Sequence, residues 1–151
     1  QVTSDSSYTG IGMPEYVTIF RKWEGDEKEW NPITNKTKQN FDLDTWQKWA
    51  SPVWMDISQT NVLSNFRGAR NEKDEKHICP LQLDVIERCI ALWSNKGETV
   101  FTPFLGIGSE VYQAVKMGRK GIGFELKPEY YDLAVRNCKE AAKSNLQQSL
   151  L

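Results

Sequence analysis

Between Gly97 and Tyr131 the chain reads G-E-T-V-F-T-P-F-L-G-I-G-S-E-V-Y-Q-A-V-K-M-G-R-K-G-I-G-F-E-L-K-P-E-Y-Y, and few folds accommodate that order of signals. Thr99 to Thr102 is a short run of strand-forming residues. Phe104-x-Gly106-x-Gly108 turns the chain sharply, because glycine enters the left-handed backbone region without a side-chain clash. Ser109 is positioned as the N-cap of a helix whose Val111, Ala114 and Val115 share one face, and Gly118 ends that helix in the left-handed conformation. Gly121 to Phe124 forms a second strand that delivers Glu125 at its carboxyl end. The two strands should lie parallel and adjacent, joined by a right-handed crossover.

This unit has a ligand chemistry. Glycines at 106 and 108 remove side chains that would hold a ligand away from the backbone. A carboxylate at the tip of the next strand, about 20 residues on, is placed to accept both hydroxyls of a ribose. A dinucleotide fingerprint calls for a third glycine at position 111, where the helix packs close to the strand beside a pyrophosphate; this chain has Val111. The pattern therefore points to a nucleoside without a diphosphate, and S-adenosylmethionine fits best. A nicotinamide dinucleotide is the competing ligand that Val111 disfavours.

The loop Thr102-Pro103-Phe104-Leu105-Gly106-Ile107-Gly108-Ser109 resembles the Asp-Pro-Phe-x-Gly-x-Gly-[Ser/Thr] loop of bacterial and phage DNA amino-methyltransferases, which methylate N6 of adenine or N4 of cytosine. Gly118-Arg119-Lys120-Gly121-Ile122-Gly123-Phe124-Glu125 resembles their second cofactor motif, and Lys76-His77-Ile78-Cys79-Pro80-Leu81-Gln82 their motif X. The order X, I, II is that of the subgroup whose cofactor half comes last. The resemblance covers residues 13–22 and 76–140. It implies an α/β fold, a partial Rossmann-like methyltransferase sheet interrupted by an irregular Trp-rich insertion, with S-adenosylmethionine as cofactor and DNA as partner.

It further implies roles for individual residues. Thr102, Pro103, Phe104, Gly106 and Gly108 line the cofactor, Glu125 grips the ribose, and Leu126 packs on the adenine. The alternative for Phe104 and Leu126 is core filling. His77 and Pro80 fall where motif X meets the methionine end; proline stands at 80 rather than directly after the histidine, so a direct contact from 77 stays open. Thr102 replaces the family's common Asp, keeping a hydrogen-bonding oxygen and losing the charge. The family's catalytic motif, [Asp/Asn/Ser]-Pro-Pro-[Tyr/Phe/Trp], is absent: no two prolines are adjacent in the 151 residues, and Ser51-Pro52-Val53-Trp54 lacks the second proline. In this motif order the catalytic half precedes residue 1. The stretch shown is expected to bind cofactor and to depend on that N-terminal half, in the same chain or a partner, for chemistry; adenine N6 is the favoured acceptor. The alternative is a non-catalytic nucleoside-binding module or remnant that works with a partner.

The remaining chain divides as follows. Residues 1–12 (Q-V-T-S-D-S-S onward) read as a linker or cut edge, the sequence being a piece of a longer protein. Glu15 to Phe20 is a strand candidate, so 13–22 is assigned to the methyltransferase sheet. Residues 23–75 carry Trp23, Trp30, Trp46, Trp49 and Trp54 and fall where the family has its target-recognition region. Acidic and basic residues balance at ten each between Arg21 and Lys76, so those tryptophans read equally as the core of a small module. Arg67 and Arg70 are the DNA-contact candidates, against the plainer reading of solvated arginines. Residues 76–142 form the cofactor-binding part and 143–151 a frayed tail. Asp84-x-x-Glu87 has capping-box spacing, opening a helix with an apolar stripe at Leu83, Ile86, Ile90 and Trp93. Tyr130, Ala134, Cys138 and Ala141 mark a further helix that packs on the sheet.

A net charge of −1 offers no overall attraction for nucleic acid, so DNA contact needs a local patch. Three scattered cysteines (Cys79, Cys89, Cys138) with no C-x-x-C pair fit a reducing cytoplasm and no structural zinc, and no run approaches the length of a membrane span.

Overall fold

The structure is a computed structural model and describes residues 15–22, 41–63 and 80–148. Its elements are α1 (Leu43–Trp49), α2 (Leu83–Trp93), β1 (Thr99–Thr102), α3 (Ser109–Lys116), β2 (Lys120–Gly123) and α4 (Pro128–Gln148). The strands pair in parallel, Thr99 opposite Lys120 and Thr102 opposite Gly123. β1 has the bounds expected from its sequence, whereas β2 lies one residue upstream of Gly121–Phe124. The pairing begins early because the Lys120 N–H donates to the Glu98 carbonyl (2.8 Å), and Phe124 still reaches the Thr102 carbonyl at 3.2 Å. Fold and element order are those of an α/β unit.

Alternation along the strands splits the sheet into two faces. Val100 joins Ile86, Ile90, Ala114, Leu83 and Met117 in one apolar cluster between α2 and α3. Phe101 (56% exposed), Ile122 (52%) and Phe124 (65%) stay open to solvent, with the Phe101 and Phe124 rings in edge contact at 5.8 Å. Parallel sheets are ordinarily covered on both faces; the described residues cover one.

Glycines in β2 let the helix side close up. A Cβ at Gly121 would lie 2.5 Å from Val111 Cγ1, and one at Gly123 would lie 2.7 Å from Leu105 Cδ1. Close helix–strand packing is therefore kept, but the glycine that permits it stands in the strand and not at position 111. This corrects the argument that Val111 excludes such packing. Leu105, Val111 and Ala134, with Val115 and Cys138, form the second cluster; Ile107, Tyr130 and Leu133, with Leu63, form the third.

Three helix ends differ from expectation. The N-cap of α3 is Gly108, in the left-handed region at φ +92, and Ser109 is the first helical residue, 4% exposed. The N-cap of α2 is Gln82, which makes no side-chain cap. Asp84 instead accepts from the Ser58 N–H (3.0 Å) and from Asn61 Nδ2 (2.7 Å), while Leu83 N–H donates to the Asn61 carbonyl (2.8 Å). A distant segment satisfies this helix end, so no local capping box forms. α4 runs to Gln148, beyond the Lys143 at which fraying was expected; Leu146, Gln147 and Gln148 favour the helix, against the weaker propensities of Ser144 and Asn145.

That same segment, 41–63, is fastened to α2 by Arg88. Arg88 is 5% exposed, and its guanidinium makes paired bonds to Asp56 (2.9 and 2.8 Å) and lies 5.7 Å from the Trp49 ring centroid and 5.2 Å from that of Trp54. The Trp54 indole donates to the Trp49 carbonyl at 2.9 Å, and Lys48 adds a second cation to Asp56 at 2.8 Å. Trp49 and Trp54 thus shield a buried charge, which is stable inside only because it is paired and hydrogen-bonded. The chain divides into units 1–32 and 33–151, so the described part of 23–75 belongs to the body that contains α2. In the first unit, residues 15–22 are exposed and form neither helix nor strand, which corrects the strand expected there. A strand exists only through ladder bonds to a neighbour, and β-forming composition supplies none. No helix among the described residues is long and apolar enough to cross a membrane.

Arg88, and after it Lys48, holds the Asp56 carboxyl well below the ordinary carboxylate range. A depressed carboxyl contributes stability above its unfolded pKa, about 4, and loses it as pH falls below that value. Melting curves from pH 6 to pH 2 should show an acid-side decline, of which Asp56→Asn removes a part while lowering the melting temperature at pH 6 by several degrees. Identical pH dependence in the two proteins would show that the pair carries no weight.

Candidate functional site at the turn between β1 and α3

The turn from Thr102 to Gly108 is held by its own polar groups. The Phe104 N–H donates to Thr102 Oγ1 at 3.3 Å, Leu105 N–H to the Phe124 carbonyl at 2.8 Å, and Gly108 N–H to the Leu105 carbonyl at 2.8 Å. Gly106 at φ +53 and Gly108 at φ +92 occupy the left-handed region that makes so tight a path possible. Thr102 is 8% exposed, and its hydroxyl serves the turn itself.

Glu125 stands where β2 runs out, and its carboxylate faces this turn. Oε2 accepts the Gly106 N–H at 2.8 Å and Oε1 accepts the Lys127 N–H at 2.9 Å. Each carboxylate oxygen has two lone-pair directions, so each keeps one for a further donor. Two remaining acceptors on one rigidly held carboxylate suit a vicinal diol.

The two glycines of the turn have separate duties. A Cβ at Gly106 would meet nothing within 4 Å, whereas one at Gly108 would come 3.1 Å from Ala134 Cβ and 3.2 Å from its Cα. Gly106 keeps the outer side of the turn open, and Gly108 lets α4 approach. Both were expected to bare the backbone for a ligand; at Gly108 the structure adds a packing role. Phe104 is 85% exposed and Leu126 is 99% exposed, so neither fills the core, the alternative weighed for both. Pro103 is exposed and Pro80 half-buried ahead of α2. His77, Arg67 and Arg70 lie outside the described residues.

The hydrogen bonds of the turn limit where a phosphate could bind. The N-terminus of a helix after a glycine turn ordinarily attracts an anion through free N–H groups. Here the Gly106 N–H is taken by Glu125 and the Gly108 N–H by the Leu105 carbonyl. A phosphate at the Gly106 N–H would have to displace the Glu125 carboxylate. Glu110, in the first turn of α3, is a further acidic group, its carboxyl pushed up by burial. No group of His, Cys, Asp and Glu able to hold a metal occurs among the described residues.

Sequence reasoning missed Arg88, Asp56 and Asn137. Asn137 is 2% exposed, and its side-chain amide donates to the Ile107 carbonyl in the turn at 2.8 Å. A polar amide beside the apolar stripe of Tyr130, Ala134 and Cys138 was the available signal.

Comparison with known proteins adds an independent line. The family model described as DNA methylase matches residues 6–136. The chain is 29% identical over 131 residues to the Type II methyltransferase M.MthZI of Methanothermobacter thermautotrophicus, covering 85% of this chain and 35% of that protein. It is 28% identical over 118 residues to the Type II methyltransferase M.MjaI of Methanocaldococcus jannaschii, covering 74% and 34%. The chain thus spans about a third of the length of these curated relatives. In three dimensions it is similar to a protein of Thermus thermophilus assigned as a DNA modification methylase and solved with S-adenosyl-L-methionine. The TM-score is 0.54 at 22% identity, over 75% of this chain and 39% of that one.

The division between the glycines is open to a direct test. Left-handed backbone costs an alanine about 1–2 kcal/mol, a penalty common to Gly106→Ala and Gly108→Ala. Only the second also drives a methyl group into Ala134, so urea unfolding should show Gly108→Ala as clearly the less stable variant. Equal losses would remove the packing role of Gly108.

Proposed function

This chain belongs to the DNA methylase family, whose model matches residues 6–136, and we propose that it forms the S-adenosylmethionine-binding part of a DNA amino-methyltransferase. The observation that carries this reading is the Glu125 carboxylate bound to the Gly106 N–H. It gives the turn two acceptors for ribose hydroxyls and occupies the Gly106 N–H that a phosphate could otherwise use.

S-adenosylmethionine supplies a methyl group activated on a positively charged sulfur. The protein's part is to bind and orient. Glu125 accepts the ribose hydroxyls, and the exposed side chains of Leu126, next in the chain, and Phe104, in the turn, offer apolar surface to the adenine. Thr102 and Pro103 shape the turn, Gly106 keeps its outer side open, and Gly108 lets α4 support it from behind. The methionine end is assigned to His77 and Pro80, and DNA phosphate contact to Arg67 and Arg70. Negative charge at the turn also suits a ligand whose reactive end is cationic.

Chemistry is assigned to a catalytic half outside these residues, in the same chain or a partner, which covers the Phe101–Ile122–Phe124 face. The favoured acceptor is N6 of adenine over N4 of cytosine, and the protein acts in the cytoplasm. Nucleoside analysis of DNA methylated by the complete enzyme distinguishes the two acceptors. One observation favours a second reading, a non-catalytic nucleoside-binding module acting with a partner: the chain has no adjacent prolines. The coding sequence upstream of Gln1 separates the two readings.

Calorimetry should show S-adenosylmethionine binding and no binding of a nicotinamide dinucleotide; the reverse preference would reject the assignment. Glu125→Ala should weaken the cofactor by roughly 1–3 kcal/mol, the range for removing one partner of a buried hydrogen bond. The 151-residue chain alone should incorporate no labelled methyl into DNA. Measurable incorporation would place the catalytic group within it.

A further inference from the structure

Four residues of α4 are directed at the turn. Tyr130, Leu133, Ala134 and Asn137 follow the i, i+3, i+4, i+7 spacing of one helix face, and they are 7%, 4%, 1% and 2% exposed. Tyr130 and Leu133 pack on Ile107, and Ala134 packs on Leu105 and against Gly108. Asn137 adds the polar contact, its Nδ2 donating to the Ile107 carbonyl at 2.8 Å.

That contact continues through the backbone. A peptide unit is planar, so the Ile107 carbonyl and the Gly108 N–H belong to one rigid plate, gripped at one edge by Asn137. At its other edge the Gly108 N–H donates to the Leu105 carbonyl at 2.8 Å. The Leu105 carbonyl and the Gly106 N–H form the next plate, whose N–H ends on Glu125 Oε2 at 2.8 Å. The series runs from the Asn137 amide through two peptide plates to the Glu125 carboxylate. Each plate meets a glycine in left-handed backbone, a residue type with little intrinsic preference for one orientation. Without a grip at the far edge the first plate can rotate, and the second loses the partner of its carbonyl. Hydrogen bonds in series also polarise one another, which strengthens the last bond.

We propose that Asn137 is a positioning residue: through the Ile107–Gly108 and Leu105–Gly106 peptides it fixes the Glu125 carboxylate in the orientation that receives the nucleoside. The proposal rests on the cofactor reading above for its ligand, and on the hydrogen-bond series alone for its geometry.

Asn137→Asp keeps the shape and replaces the donor with an acceptor facing the Ile107 carbonyl. Its control is an Ile86 variant, to valine or alanine, chosen to match its melting temperature; Ile86 lies in the separate cluster with Ile90 and Ala114. In the ligand-free full chain, the Gly106 amide of Asn137→Asp should shift in a ¹H–¹⁵N spectrum and exchange with solvent at least about tenfold faster. The Ile86 control should leave both unchanged. S-adenosylmethionine should bind about 5- to 30-fold more weakly to Asn137→Asp, as for a charged hydrogen bond weakened but not lost, and less than twofold more weakly to the control. Should Asn137→Asp fail to fold, Asn137→Ala, which removes the donor without adding a charge, takes its place with the same two readouts. An unmoved Gly106 amide, or equal weakening in the control, overturns the proposal. If the unaltered chain binds no S-adenosylmethionine, the cofactor reading falls, and the amide readout still decides whether the series exists.

Discussion

One carboxylate, facing a turn rather than solvent, sets the character of this molecule. Glu125 binds the Gly106 and Lys127 N–H groups together, so the end of β2, the turn after β1 and the start of α4 meet on a single side chain. The Gly106 N–H, which could otherwise meet an anion, is satisfied from within. What the site offers outward is acceptors, and a site that offers acceptors at rest selects for donors such as a diol. Because those acceptors are held in place before any ligand arrives, little ordering remains to oppose binding.

Support for this arrangement comes from two directions. α4 presses on the turn with Tyr130, Leu133 and Ala134, and Leu63 reaches the same cluster from the segment that Arg88 fastens to α2. The described part of the Trp-rich region is therefore mechanically continuous with the cofactor side through Asp56, Asp84 and Leu63. The chain belongs to the DNA methylase family, and the described segment 41–63 lies in the same compact unit as the turn proposed to meet cofactor.

Much of the unit was legible in the sequence because it is local. β1, the glycine turn, the end of α3 at Gly118 and the delivery of Glu125 depend on residues within a few positions of one another, and turn chemistry states them directly. What was misread depends on partners far along the chain. Asp84 looks like half of a capping box until Ser58 and Asn61 arrive to use it. Arg88 sits in an apolar helix face without explanation until Asp56, Trp49 and Trp54 surround it. Residues 15–20 have strand composition, yet composition cannot provide the neighbour that a ladder requires. The two glycines of the turn look alike in sequence, and only the position of Ala134 separates the one that admits a helix from the one that leaves space.

The meeting of Val111 with Gly121 carries a wider lesson about reading glycine patterns. The steric requirement belongs to the contact, not to either residue: the sum of two volumes is bounded, and the chain satisfies that bound by giving the bulk to the helix and the vacancy to the strand. A motif written along one element records only half of such an arrangement. Pairs of positions across the crossover, compared by combined size, would recognise the same closeness whichever partner happens to be small.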